Sequence, residues 1–203
     1  ETLTMTGSGT AASANVANGI AMSSNGNLAL ADGTGAASNY SLNSTVINVT
    51  QRPINLSGTK IYDGNTTLNN SIVSVSSGLI GIETLTLTGE VNTNNANVGS
   101  FSASGGTLNV GSTTINIANG SNGGLAANYA INDGNFTITQ RPVGVSGTRL
   151  YDATTNAVAS DLSTHANLVG SETLTLSGTG TIASKDVGSN KTVSVGTLAL
   201  GNG

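Results

Sequence analysis

The feature that most limits the fold of this chain is that it repeats itself at a constant displacement. "SGTKIYDGNTT" (Ser57 to Thr67) returns as "SGTRLYDATTN" (Ser146 to Asn156), and "TQRP" ends at Pro53 and again at Pro142. "NY" stands at Asn39-Tyr40 and Asn128-Tyr129, while "ETLTLTG" from Glu83 is answered by "ETLTLSG" from Glu172. Each of these pairs is 89 residues apart. A third "ETLT" opens at Glu1, only 82 residues before Glu83, so the first copy is shorter. The deficit lies where "AMSSNGNLALADG" (Ala21 to Gly33) stands against "GGTLNVGSTTINIANGS" (Gly105 to Ser121), and loops and hairpins tolerate length changes of this kind.

A period of this size marks a domain-sized unit that recurs along the chain. With the joints placed at Pro53 and Pro142, residues 1–53 form the C-terminal part of a first repeat. Residues 54–142 form a complete second repeat, and residues 143–203 the N-terminal part of a third. The first lacks the Tyr-Asp motif, and the third lacks "NY" and "TQRP". Both ends are therefore expected to be fragments with open strand edges.

Within each unit apolar residues alternate with Thr, Ser or Asn, as in Leu85 and Leu87, Phe136 and Ile138, or Val193 and Val195. Period two is the mark of half-buried strands, and turn formers such as "NDGN" and "SNGG" separate them. This predicts an all-β chain of small β-sandwich-like modules, each about 89 residues with six or seven short strands. The stretch from Asn156 to Gly170, with its counterpart Thr67 to Gly81, is expected to be irregular with at most a short helical turn. Proline fixes its own φ and biases the preceding residue to extended geometry, so the modules are expected to hold a constant angle and form an elongated rod.

Composition closes off several function classes. Aromatics are 3% and charged residues 8% of the chain, so thin cores of Val, Ile, Leu and Ala sit beneath a hydroxyl- and amide-rich surface. The net charge is −4 and the cations are scattered, which leaves no basic stripe for nucleic acid. No apolar run approaches the roughly 18 residues of a membrane helix, and membrane insertion is not expected. Cysteine is absent, so thiolate chemistry and disulfides are excluded.

No catalytic set emerges, and the chain is expected not to be an enzyme. The single histidine, His165, faces Ser76 in the second copy. Glu1, Glu83 and Glu172 each open a strand, where they could pair with Lys or Arg; a glycosidase would need two carboxylates in one cleft. No cofactor is expected. EF-hand and "GGxGxD" patterns are missing, and the turn carboxylates Asp32, Asp133 and the pair Asp63/Asp152 leave room only for a weak calcium site between modules.

The repeated Tyr-Asp motif reads as a structural corner. Lys60 and Tyr62 share one face of an extended strand, as do Arg149 and Tyr151, so a cation can lie along each phenol ring. Asp63 and Asp152 then start a turn by accepting backbone N–H bonds two residues on. Because the third copy has Ala153 in the place of Gly64, a positive φ is not expected to be required there. Tyr40, Tyr129, Pro53 and Pro142 complete the shared set, and the tyrosines at recurring positions offer no separate aromatic platform for a glycan.

The order "GTKIYDGNTT", "ETLTLTG", "NVGS", "LAANYAI", "FTITQRP" resembles the YDG domain over nearly the whole chain. That family occurs as tandem repeats in very large secreted adhesins of Gram-negative bacteria, including filamentous-haemagglutinin-like exoproteins. The resemblance implies structural stalk repeats of a secreted surface adhesin, outside the cell, which extend a binding tip or support cell–cell adhesion and biofilm. Partners are then neighbouring repeats of the same protein. A second expectation is a self-assembling matrix filament in which copies of the chain complete one another by strand exchange. A third, less favoured, is a carbohydrate-binding module for a surface glycan or matrix polysaccharide.

Overall fold

The computed structural model describes residues 1–43, 45–103 and 114–203. Residues 104–113, which hold much of the second copy's extra length, lie outside the described residues, as do Ser44 and the side chains of Ala103 and His165. Among the described residues the regular elements are strands of two to eleven residues and three short 3-10 turns, at Ala37–Asn39, Ala126–Asn128 and Ala159–Asp161. The all-β expectation holds.

The chain divides into two compact units. One gathers Glu1–Lys60, Thr66–Asn94 and Ser100–Thr137, the other Ile61–Asn65, Asn95–Gly99 and Ile138–Gly203.

In the first unit the core belongs to the second repeat. Arg52–Ile61 lies between Tyr129–Thr139 and Val73–Ser77, and Gly99–Ala103 borders Tyr129–Thr139 on its other side. Two antiparallel strand pairs accompany this sheet, Thr67–Asn69 with Glu90–Asn92 and Leu85–Thr88 with Asn116–Asn119. Their inward residues meet in one cluster of Leu56, Leu68, Val73, Leu87, Val91, Ile115 and Phe136. Each such side chain contributes about 1.5–3 kcal/mol on burial. The cluster is thin but draws on every one of the three sheets.

The first repeat, in the same unit, pairs Leu3–Thr6 with Ala29–Asp32 and sets Ala17–Ser24 between Thr10–Ala11 and Val46–Val49. Its Ile47 stands 89 residues before Phe136 but is 47% exposed where Phe136 is 1% exposed. Residues 1–53 hold no counterpart of Leu56, Leu68 or Val73, so Ile47 has nothing comparable to pack against.

The second unit holds the third repeat. Gly144–Gly147 pairs with Leu162–Ala166, Asn156–Val158 with Thr179–Ile182, Thr179–Ile182 with Val193–Ser194, and Leu174–Ser177 with Ala199–Asn202. The "ETLT" strand makes the same antiparallel pair in all three copies, with Leu3 opposite Asp32, Leu85 opposite Asn119 and Leu174 opposite Asn202. Ala157 takes the place of Leu68 and is buried, while Leu162 and Leu176 are half-buried where Val73 and Leu87 are buried.

Two expectations need correction. The stretch from Asn156 to Gly170 contains the strands Asn156–Val158 and Leu162–Ala166 around one 3-10 turn, and its counterpart contains Thr67–Asn69 and Val73–Ser77. Pairing with sequence-distant partners satisfies these short backbones, and Val73 turns inward from an otherwise Ser-rich run. The second repeat also has eight strands among the described residues, not six or seven, because the three-residue pair Thr67–Asn69 and Glu90–Asn92 adds to the number.

Candidate functional site

The second repeat's Tyr-Asp corner is built into the compact unit of the third repeat. Directly after the strand Arg52–Ile61, the Tyr62 N–H donates to the Thr139 carbonyl at 2.9 Å, and the Arg141 guanidinium donates to the Tyr62 carbonyl at 3.3 Å. The Tyr62 hydroxyl donates to the carboxylate of Glu172, the residue that opens the third "ETLT". Asp63 accepts the Asn65 N–H at 3.1 Å, which closes the turn. Gly64 adopts φ +78°, and a Cβ placed there would stand 2.8 Å from Val169 Cγ1. A corner of one repeat thus packs against the loop that leads into the next repeat's Glu.

The third repeat's own corner keeps the turn but rearranges the cations. Asp152 accepts both the backbone N–H and the hydroxyl of Thr154, each at 2.9 Å, as well as a guanidinium N–H of Arg149. The Thr154 N–H first, then Arg149 and the Thr154 hydroxyl, hold the Asp152 carboxyl down at about 2. Ala153 takes φ +63° in the place of Gly64, so the left-handed conformation is required at this position in both copies, contrary to the expectation from sequence. An L-residue pays for that geometry, and the turn enforces it.

The expected pairing of each phenol with the cation two residues before it is not what the third copy shows. Arg149 and Tyr151 lie beyond the end of the strand Gly144–Gly147, and Arg149 forks onto Asp152 and the Thr154 carbonyl. The cation above the Tyr151 ring is Lys185, with Nζ 5.9 Å from the centroid. In the second copy Lys60 is buried, 6% exposed, and its ammonium donates to the Thr67 carbonyl at 3.1 Å.

The glutamates that begin each "ETLT" could have paired with Lys or Arg; they accept from phenols. Tyr40 donates to Glu1 at 2.6 Å and Tyr129 donates to Glu83, so the Asn-Tyr motif of each repeat closes onto the Glu of the same repeat. Tyr129 is buried, and its oxygen also accepts the Ile80 N–H at 3.4 Å. The hydroxyl pKa of Tyr40, Tyr62 and Tyr129 is raised, in each case chiefly by the hydrogen bond to the carboxylate, which favours the proton-bearing form.

The "TQRP" segments supply the other ties. Arg52 Nε donates to the Gly78 carbonyl at 2.7 Å, and Arg141 Nε donates to the carbonyl of Asn167, the equivalent position. Gly78 and Asn167 both have positive φ. Pro53 is the second residue of its strand, and a Cβ at Gly78 would meet the Pro53 carbonyl at 2.4 Å; in the third copy the Asn167 amide donates to the Pro142 carbonyl at 3.4 Å. Gln51 of the first repeat donates to the carbonyls of Ala127 and Tyr129 in the second, at 3.2 and 3.1 Å. Asn128 accepts the Val16 N–H at 2.9 Å. Gln51, Arg52, Arg141 and Asn128 were not singled out from the sequence, although they sit inside the same recurring motifs.

Among the described residues no group of three or more His, Asp or Glu comes together as a metal site would require. Two shallow hollows, about 320 and 390 Å³, lie at equivalent places in the second and third repeats, lined by Val73, Leu85 and Leu87 and by Leu162, Leu174 and Leu176. Both are open, lined by apolar side chains together with Ser, Thr or Asn, and free of a charged side chain. No helix among the described residues is long and apolar enough to cross a membrane.

No curated protein and no solved structure matches the chain. The family model described as the YDG domain matches residues 135–203, the stretch that carries "RLYDATTN", "ETLTLSG" and "KDVGSNKTV". The displacement of 89 residues carries the first two of these motifs back to "KIYDGNTTL" and "ETLTLTG". The chain thus contains a YDG domain at residues 135–203.

Proposed function

We propose that the chain is a stretch of non-catalytic stalk repeats from a large secreted bacterial surface adhesin, in which each repeat fixes the next and the series forms an elongated rod. The observation that carries this reading is the use of the most regularly repeated residues. Tyr62 through Glu172 and Arg141 through the Asn167 carbonyl join the second repeat to the third, and Gln51, Val16 and Asn128 join the first to the second. Side chains that recur once per repeat are occupied with one another, which suits a scaffold. The extracellular setting and the adhesive role follow from the resemblance of the motifs to YDG repeats of secreted adhesins.

Small-angle scattering on the chain, and on chains carrying one and two additional copies of residues 54–142, tests the reading. A stalk lengthens by a constant increment per added repeat and keeps one cross-section at all concentrations. Growth with protein concentration would favour the strand-exchanged filament, and specific binding on a glycan array by the intact chain would favour the carbohydrate-binding module.

A further inference from the structure

We infer that the glutamate opening each "ETLT" motif is a receptor for two phenols, one from the Asn-Tyr motif of its own repeat and one from the Tyr-Asp corner of the repeat before. This deepens the stalk reading and rests on it, since it concerns a repeat that has a neighbour on each side. The partner of the surface is another repeat of the same kind, recognised through a tyrosine hydroxyl.

The two halves of the arrangement are seen separately. Glu83 accepts from Tyr129, its own repeat's Asn-Tyr residue, on Oε2. Glu172 accepts from Tyr62, the preceding repeat's corner residue, on Oε1. Glu83 and Glu172 are 89 residues apart and equally placed, because each donates its N–H at 3.0 Å to the carbonyl three residues earlier, Ile80 or Val169. Within residues 1–203 a corner precedes Glu172 but no Asn-Tyr motif follows it, and an Asn-Tyr motif follows Glu83 but no corner precedes it. Each carboxylate therefore shows one of its two phenols.

The common displacement of 89 residues assigns both phenols to one carboxylate, which has two equivalent oxygens to receive them. An ionised carboxylate offers two oxygens and about four lone-pair sites, so it satisfies both donors. Bonds of this type are charge-assisted and short, and they fix direction as well as distance. The loop that leads into Glu172 also carries Val169, whose Cγ1 would stand 2.8 Å from a Cβ at Gly64, so the corner contacts this loop at a second point beside the carboxylate. The joint is then specified by one carboxylate that only a correctly registered neighbour can fill.

Two extensions of the full chain test this, each supplying the missing phenol to one glutamate. A second copy of residues 121–142 placed after Gly203 brings an Asn-Tyr motif to Glu172. A second copy of residues 54–82 placed before Glu1 brings a corner to Glu83. Alkaline titration followed through the tyrosine ring carbons by NMR reads each phenol separately. The expected result is that the added tyrosine and the resident one both titrate above an ordinary phenol. Glu172→Gln should then lower Tyr62 and its added partner together while Tyr129 stays in place, and Glu83→Gln should do the converse. The inference is overturned if in either extended chain the added tyrosine titrates as a free phenol, or if Tyr62 or Tyr129 falls to the ordinary value when the second phenol arrives. A chain that lengthens by a constant increment while the added phenol stays free defeats this inference alone. A chain that fails to lengthen defeats the stalk reading whatever the tyrosines do.

Discussion

Tyr62 of the second repeat gives its hydroxyl to Glu172 of the third, 110 residues away in the chain, while its own backbone is held by Thr139 and Arg141. A tyrosine at such a corner would serve a ligand site if its hydroxyl faced open solvent or a cleft. Here the hydroxyl ends on Glu172, two residues before the next repeat's strand Leu174–Ser177 begins. Tyr62 and Glu172 both belong to motifs that recur along the chain at the 89-residue displacement.

The corner sets a backbone requirement that its two copies meet unequally. Ala153→Gly should raise stability by roughly 0.5–1 kcal/mol, since the left-handed conformation costs an L-residue about 1–2 kcal/mol and glycine's greater freedom in the unfolded chain offsets part of the gain. Gly64→Ala should lower stability by more than that gain, through φ +78° and the 2.8 Å approach to Val169, and Val169→Ala should recover part of the loss. Urea unfolding of the three variants measures all of this.

The core of the second repeat is predicted to dominate the stability of its unit. Phe136→Ala empties the centre of the cluster and should cost about 3–5 kcal/mol. Ile47→Ala, at the equivalent but half-exposed place in the first repeat, should cost about 1 kcal/mol or less, in proportion to the smaller apolar area it keeps from water. Thermal unfolding with a probe in each repeat separates the two.

High pH should loosen the ties before it melts the core. The phenols of Tyr40, Tyr62 and Tyr129 have a raised pKa in the folded chain, so the proton is held more tightly there than in the unfolded chain. Their contribution is complete below the ordinary phenol value of about 10 and is lost as pH rises through the higher folded values. Each lost proton also leaves a phenolate facing a carboxylate. Amide exchange measured across that range should rise first around residues 61–65, 80–83 and 168–172, and Tyr62→Phe should remove the effect at the joint it serves.

The strands and the repeat were legible in the sequence because both rest on local patterns. Leu85 and Leu87 alternate with threonine, and the offset of 89 residues can be counted from Pro53 to Pro142. What was hidden depends on contacts made at a distance. Val73–Ser77 looks irregular because its Ser-rich run becomes a strand only when Arg52–Ile61 pairs with it. Arg149 has an equal claim on a phenol or a carboxylate until the strand stops at Gly147 and turns it toward Asp152. Ala153 gives no sign of its positive φ, which the turn imposes. That Tyr62 belongs to the next repeat could have been suspected only from the fact that each glutamate recurs in step with the tyrosines.

The most direct test of the joint is a double-mutant cycle on Tyr62 and Glu172, read as amide protection at residues 61–65 and 168–172. If the corner is tied to the next repeat through this pair, Tyr62→Phe and Glu172→Gln each lower protection there, the double variant loses no more than either one, and Leu56 and Phe136 keep theirs. Losses that simply add, or full protection retained in both single variants, would mean that the repeats are not joined at this carboxylate.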